Sequence, residues 1–147
     1  LWFDDLLMDR INPNADPVSM RSNAGIEVSL KQNVIGHYVT TGTINGQKVI
    51  FLLDTGATDV SVPAHLADKL GLLPGRRSRV STANGVVTAY DTHIDELTIG
   101  DILLRDIEGN LNPGMKSDEI LLGMSALKQL EFTQKDGWLL LRDTNPY

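Results

Sequence analysis

Cysteine is absent from the chain, so a disulfide framework, thiol catalysis and thiolate metal ligation are all excluded. That absence does not fix the compartment. Basic side chains are the minority, 13 against 19 acidic for a net charge of −6, and such a balance lacks the basic face of a nucleic-acid binder. No apolar run approaches the ~18 residues of a membrane-spanning helix. The longest, Val49-Ile50-Phe51-Leu52-Leu53, is strand-sized. Internal repeats, low-complexity tracts and a glycine-rich phosphate loop are missing, and Ser61, Ser81 and Ser125 lie in no Gly-x-Ser-x-Gly setting. His37, His65 and His93 fall in different segments, none with a second histidine at ligand spacing. No metal site and no cofactor are therefore expected.

What remains is a chain of 147 residues, 41% hydrophobic, sized for one domain with a core of its own. Residues 1–24 differ in pattern from the rest. Trp2 and Leu6, Phe3 and Leu7, and Leu7 and Ile11 stand four apart, a helical stripe that Asn12-Pro13-Asn14 and Asp16-Pro17 break. This segment reads either as a short helix or arm packed on the domain, or as a linker to something upstream. Residues 25–147 read as one β-rich domain. Ile26, Val28 and Leu30 alternate with polar neighbours. Tyr38–Ile44 and Lys48–Leu53 flank Asn45-Gly46, a hairpin signal, and the second of them is apolar enough to predict burial on both faces. Further hairpins are predicted at Asn84-Gly85, at Gly100-Asp101 and at Lys135-Asp136-Gly137. Pro63–Leu70 reads as a helix closed by Gly71, Gly109–Gly114 as a loop, Ile120–Leu122 as a short strand and Ser125–Leu130 as a turn or two of helix. Many short strands with two short helices predict a β barrel or sandwich.

Chemistry concentrates at Leu52-Leu53-Asp54-Thr55-Gly56-Ala57. An apolar strand delivers a carboxylate to the edge of a core, where an ionised Asp is costly unless it is hydrogen-bonded or shares a proton. Gly56 lets backbone N–H groups approach that carboxylate, and Thr55 offers a hydroxyl to brace the loop. As a tripeptide, Asp-Thr-Gly is equally an ordinary turn after a strand. Two further features follow in order: a hairpin around Asn84-Gly85, and the apolar string Leu121-Leu122-Gly123 leading into a helix.

Together these elements resemble the retropepsin-like aspartic proteases, over about residues 36–142. The string Leu121-Leu122-Gly123-Met124-Ser125-Ala126-Leu127 is most similar to the bacterial single-domain branch. The resemblance implies an all-β retropepsin-like acid-protease barrel, a single lobe that pairs as a homodimer and hydrolyses polypeptides. It implies Asp54 as the catalytic residue, Thr55, Gly56 and Ala57 as the active-site loop, and Thr82, Ala83, Asn84, Gly85 and Val86 as a flap over the substrate. Leu121, Leu122 and Gly123 would line pockets behind the loop. It also implies a membrane anchor upstream of the chain and a place on the periplasmic side of a bacterial inner membrane, which recasts residues 1–24 as a membrane-proximal linker. Retroviral members place Arg after the corresponding glycine to lock their dimer. Here that residue is Met124, so dimer contacts must come from elsewhere, and Ile26–Leu30 and Trp138–Leu141 are candidate interface strands by analogy.

Attack of water on a peptide carbonyl needs one carboxylate to accept a proton and one carboxyl to donate one. Two carboxyls about 3 Å apart share a single proton. The chain holds one Asp-Thr-Gly, and Asp91-Thr92-His93 and Asp143-Thr144-Asn145 lack the glycine. If Asp54 works in this way, its partner is Asp54 of a second copy across a two-fold axis. The alternative is a catalytically silent binding or assembly module on the same fold, in which pairing does not bring the acids together.

Overall fold

A computed structural model describes residues 11–82 and 85–144. Trp2, Phe3, Leu6 and Leu7 of the N-terminal stripe, and Ala83 and Asn84 of the predicted flap, lie outside the described residues. From Asn12 onward the segment read as an arm is woven into the domain. Strand β1 (Val18–Ser22) pairs antiparallel with β2 (Gly25–Lys31). Asn12 and Asn14 are both buried, and Asn14 works as a latch. Its Nδ2 donates to the carbonyls of Lys31 and Val39, each at 2.8 Å, while its Oδ1 accepts the Lys31 N–H at 2.8 Å. One amide thus satisfies backbone groups belonging to two separate sheets.

Strands β3 (Val39–Ile44) and β4 (Gln47–Leu53) form the predicted hairpin. Its two turn residues, Asn45 and Gly46, have φ of 50° and 80°, the left-handed pair that a two-residue turn between twisted strands requires. Only one face of β4 is deeply buried: Val49 and Phe51 enter the core, Leu53 packs against it part-buried, and Ile50 and Leu52 on the other face are half-exposed. The expectation of burial on both faces is corrected accordingly, since strand alternation sends the second apolar set outward. Strand β5 (Val60–Pro63) then ends on Pro63, and a 3₁₀ turn at Ala64–Leu66 leads into α1 (Ala67–Leu70). The helix is thus shorter than predicted and starts later, because Pro63 belongs to the strand. Gly71 closes it at φ 66°, as its position suggested.

Strand β6 (Arg77–Thr82) pairs with the first part of β7 (Gly85–Ile99), and β7 turns at Gly100 into β8 (Ile102–Asn112). Thr82 pairs with Gly85, so Gly85 belongs to the strand rather than to the turn. The predicted loop at Gly109–Gly114 is mostly strand. Gly109–Asn112 pair in parallel with Val60–Pro63 on one side, and Gly109–Leu111 with Tyr90–Thr92 on the other. Strand β9 (Glu119–Leu122) and helix α2 (Met124–Leu127) follow, then β10 (Glu131–Lys135) and β11 (Trp138–Asp143) around the left-handed Asp136-Gly137 turn.

The larger sheet runs β3-β4-β9-β5-β8-β7-β6, and β3 also pairs with β7 through Thr43–Thr98 and Ile44–Leu97. That pairing closes a barrel and leaves β6 outside it as one arm of a projecting hairpin. Phe51, Val60, Val62, Ile94, Leu97, Ile107, Ile120 and Leu122 fill its interior. The smaller sheet runs β1-β2-β11-β10. Its inner strands are the two candidate interface strands, which pair with each other in the same chain, from Ile26–Asp143 to Lys31–Trp138. Their hydrogen-bonding edges are therefore filled within the chain, so neither has a free edge with which to extend a sheet into a second copy.

Candidate active site

The site is built around β9, which lies between β4 and β5 although the loop of residues 54–59 joins those two strands directly. Strand β9 runs parallel to β4, Leu53 facing Leu122, and the Asp54 N–H extends the ladder to the Leu122 carbonyl at 3.1 Å. Asp54 is half-buried, whereas Thr55 and Gly56 are exposed. The Gly56 N–H donates to Asp54 Oδ1 at 2.9 Å, and the Ala57 N–H to the Asp54 carbonyl at 3.2 Å. A Cβ on Gly56 would stand 3.2 Å from that same carboxylate oxygen, so glycine permits the close approach.

Behind the loop sits α2. Its N-cap, Gly123, offers no side chain to the free N–H groups of the first turn. The Asp54 loop supplies the acceptors: the Met124 N–H donates to the Ala57 carbonyl and the Ser125 N–H to the Thr58 carbonyl, both at 2.8 Å. Gly123 is itself an obligatory close approach, because a Cβ there would overlap the Asp59 carbonyl and lie 2.7 Å from that of Ala57. Ser125, buried and unsuited to nucleophilic duty, accepts the Val60 N–H at 3.0 Å and donates to the Glu108 carbonyl at 2.6 Å.

In front of the loop opens a cleft of about 930 Å³. Asp54, Gly56 and Ala57 line it, as do Thr58, Asp59 and Ser61 beyond them and Arg79, Val80, Ser81 and Val87 of the projecting hairpin. Its floor includes Leu121, Ser61 and Asn110, in register across β9, β5 and β8. Of the residues predicted behind the loop, Leu121 lines the cleft and Leu122 does not. Leu122 is fully buried in the core, because successive residues of a strand face opposite ways. Gly123 is packed against the loop rather than open to the cleft. Among the predicted flap residues, Gly85 (φ 110°) and Val86 are exposed on the hairpin, and Val86 is 62% exposed. Asp59, Ser61, Asn110 and Asn112 were missed by sequence reasoning. Asp59 ends the loop after the motif, Ser61 stands on the short strand that follows, and the last two were read as loop.

Burial and charge push the Asp59 carboxyl up from its ordinary value. Burial is the main cause, the charges of Glu108 and Asp91 add to it, and Lys128 opposes them. Further along the β7–β8 hairpin, His93, Asp95 and Asp106 bring ligand atoms within 4.8 Å of one another, a grouping that linear spacing did not reveal. All three are exposed. His93 Nε2 lies 3.1 Å from Asp106, a hydrogen bond, and 3.4 Å from Asp95, which accounts for the grouping as polar contact on the surface.

Residues 40–129 match the family model described as gag-polyprotein putative aspartyl protease. Among solved structures, a retropepsin-like aspartic protease from Rickettsia conorii superposes with a TM-score of 0.66 at 29% identity, covering 86% of this chain and 94% of that one. EIAV protease, in complex with the inhibitor HBY-793, shares the fold at a TM-score of 0.54 and 19% identity, over 67% of this chain and 92% of that one. By sequence, the chain is 34% identical over 145 residues to an uncharacterised protein from the cobV 5′ region of a Sinorhizobium species. It is 31% identical over 119 residues to an uncharacterised protein of Rickettsia prowazekii. The matches cover 96% and 78% of this chain, but only 62% and 50% of those relatives' lengths.

Proposed function

Because the chain belongs to the gag-polyprotein aspartyl protease family and has the retropepsin-like fold, we propose that it is an aspartic endopeptidase active as a homodimer. In this reading each copy contributes Asp54. The observation that carries it is the Asp54 loop: a single Asp-Thr-Gly, pinned by β9 and α2, with its carboxylate on the wall of the large cleft.

The chemistry follows from two acids sharing one proton. The ionised carboxyl removes a proton from a water molecule held between the pair as its oxygen attacks the peptide carbonyl carbon. The protonated carboxyl gives its proton to the carbonyl oxygen, producing a neutral tetrahedral intermediate. As the intermediate collapses and the C–N bond breaks, the first acid gives its proton to the departing nitrogen while the second takes one back from a hydroxyl of the intermediate, which re-forms the carbonyl and restores the shared proton. Substrate lies extended along the cleft, and the β6–β7 hairpin, whose Arg79–Ser81 and Val87 already line it, acts as the flap that excludes water. Attachment to the periplasmic face of a membrane is proposed with it, supported by the likeness of Leu121–Leu127 to the bacterial branch. Among the described residues no helix is long and apolar enough to cross a membrane. Cell fractionation tests this placement, and recovery in the soluble cytoplasmic fraction would end it.

Asp54→Asn is expected to abolish hydrolysis of a polypeptide substrate and leave the thermal melt unchanged. Retained hydrolysis would overturn the mechanism. Mixing the variant with an equal amount of wild-type protein tests the pairing: random exchange leaves about one quarter of pairs with both acids. Activity that falls only to one half would show that each copy works alone. A protein that pairs, yet cleaves nothing, would instead be the silent binding module.

A further inference from the structure

Asn110 has 2% of its surface exposed, and its Oδ1 has no hydrogen-bond partner. A buried amide oxygen left unpaired carries the desolvation penalty of a lost hydrogen bond, so it calls for an explanation. Its surroundings supply one. Asn110 sits on the cleft floor beside Ser61, its register partner on β5, and Asp59 lines the same cleft two residues before Ser61. Rotation about the last side-chain bond turns either end of the amide to the cleft.

From this juxtaposition we propose that the Asp59–Ser61–Asn110 corner is a specificity subsite that selects a basic side chain, Lys or Arg, of the polypeptide substrate. The inference rests on the peptidase reading and names the substrate class that the cleft prefers. A donor alone would satisfy the Asn110 oxygen, but the charge around the corner narrows the choice. Asp59 is partly desolvated, and the nearby Glu108 and Asp91 repel its charge, an effect that Lys128 opposes but does not cancel. A cation seated there relieves that repulsion and donates to the orphaned oxygen. An aliphatic side chain would seal both acceptors away from water without a partner, and an acidic one would add a fourth negative charge. Arg79 lines the cleft from the β6 side, so the preference is local to this corner rather than a property of the whole groove.

The test uses the full chain and a peptide library in which Lys, Arg, Gln, norleucine and Glu are placed in turn at each position. Cleavage sites are read by mass spectrometry, with Asp54→Asn as the control. We expect one fixed position at which Lys or Arg raises kcat/KM over norleucine by at least about tenfold, as hydrogen-bonding pockets commonly achieve. Asp59→Asn should collapse that ratio to about twofold or less, and Asn110→Leu, which keeps the volume and removes the oxygen, should reduce it. A flat library, or a ratio untouched in Asp59→Asn, overturns the subsite. Absence of Asp54-dependent cleavage ends the peptidase reading only, because binding of the Asp54→Asn protein to the same immobilised peptides reads the corner without turnover. There, equal binding of Lys and norleucine peptides at every position overturns the proposal. Tighter Lys binding that Asp59→Asn erases upholds it.

Discussion

The Ser125 hydroxyl donates to the Glu108 carbonyl at 2.6 Å, joining α2 to β8. The same oxygen accepts the Val60 N–H, so one buried hydroxyl ties together the helix behind the Asp54 loop, the strand after it and the strand beside that. Ser125→Ala leaves an N–H and a carbonyl unpaired in the interior. A loss of about 1–3 kcal/mol is expected, read as a lower urea midpoint at unchanged m-value. An unchanged midpoint would show that the brace is dispensable.

Glycine acts in two distinct ways here, and paired variants separate them. Gly123→Ala drives a methyl into the carbonyls of Ala57 and Asp59, so either α2 or the Asp54 loop must move. Gly46→Ala meets nothing within 4 Å and suffers only from its φ of 80°. Overpacking of this kind costs about 1–3 kcal/mol or more, against roughly 1 kcal/mol for the strained turn. Thermal melts should rank them in that order. Peptidase activity per folded molecule should fall in Gly123→Ala alone.

Asn14→Ala removes a donor pair and an acceptor from the latch between β2 and β3. With three backbone groups losing their partner, roughly 2–4 kcal/mol is expected. Hydrogen exchange should then rise at Lys31, whose N–H the Asn14 side chain accepts. Protection retained at that amide would contradict the latch.

Asp59 gives a pH signature. Its carboxyl is raised from 3.8 in the folded protein, so the folded state keeps that proton to higher pH than the unfolded chain does. This contribution to stability is full below the unfolded value and is lost as pH rises through the folded one. Asp59→Asn removes the loss. The variant should melt with wild type near about pH 3 and above it by pH 6–7, the gap opening as pH rises. A constant gap across that range would show that the carboxyl is not perturbed.

How far the sequence was legible depends on the range of the forces involved. Asn45-Gly46 and Asp136-Gly137 announce their hairpins because a left-handed pair is a local demand that few residues meet. Asp54-Thr55-Gly56 was legible for a similar reason, since the glycine lets its own N–H reach the carboxylate two residues back. Gly109–Asn112 was not legible. Its residues look like a loop, and only pairing with β5 and β7 from distant parts of the chain makes it a strand. Asn14 and Asn110 were hidden in the same way. A polar side chain that serves another strand's backbone, or floors a cleft, carries the composition of a turn.

Strands β2 and β11 already hold each other within one chain. Under the mechanism proposed above, maturation then divides into two events of different molecularity. The first is unimolecular and finishes the barrel together with its smaller sheet. The second is an encounter between two completed but idle halves, so local abundance, rather than the speed of folding, sets when cutting begins.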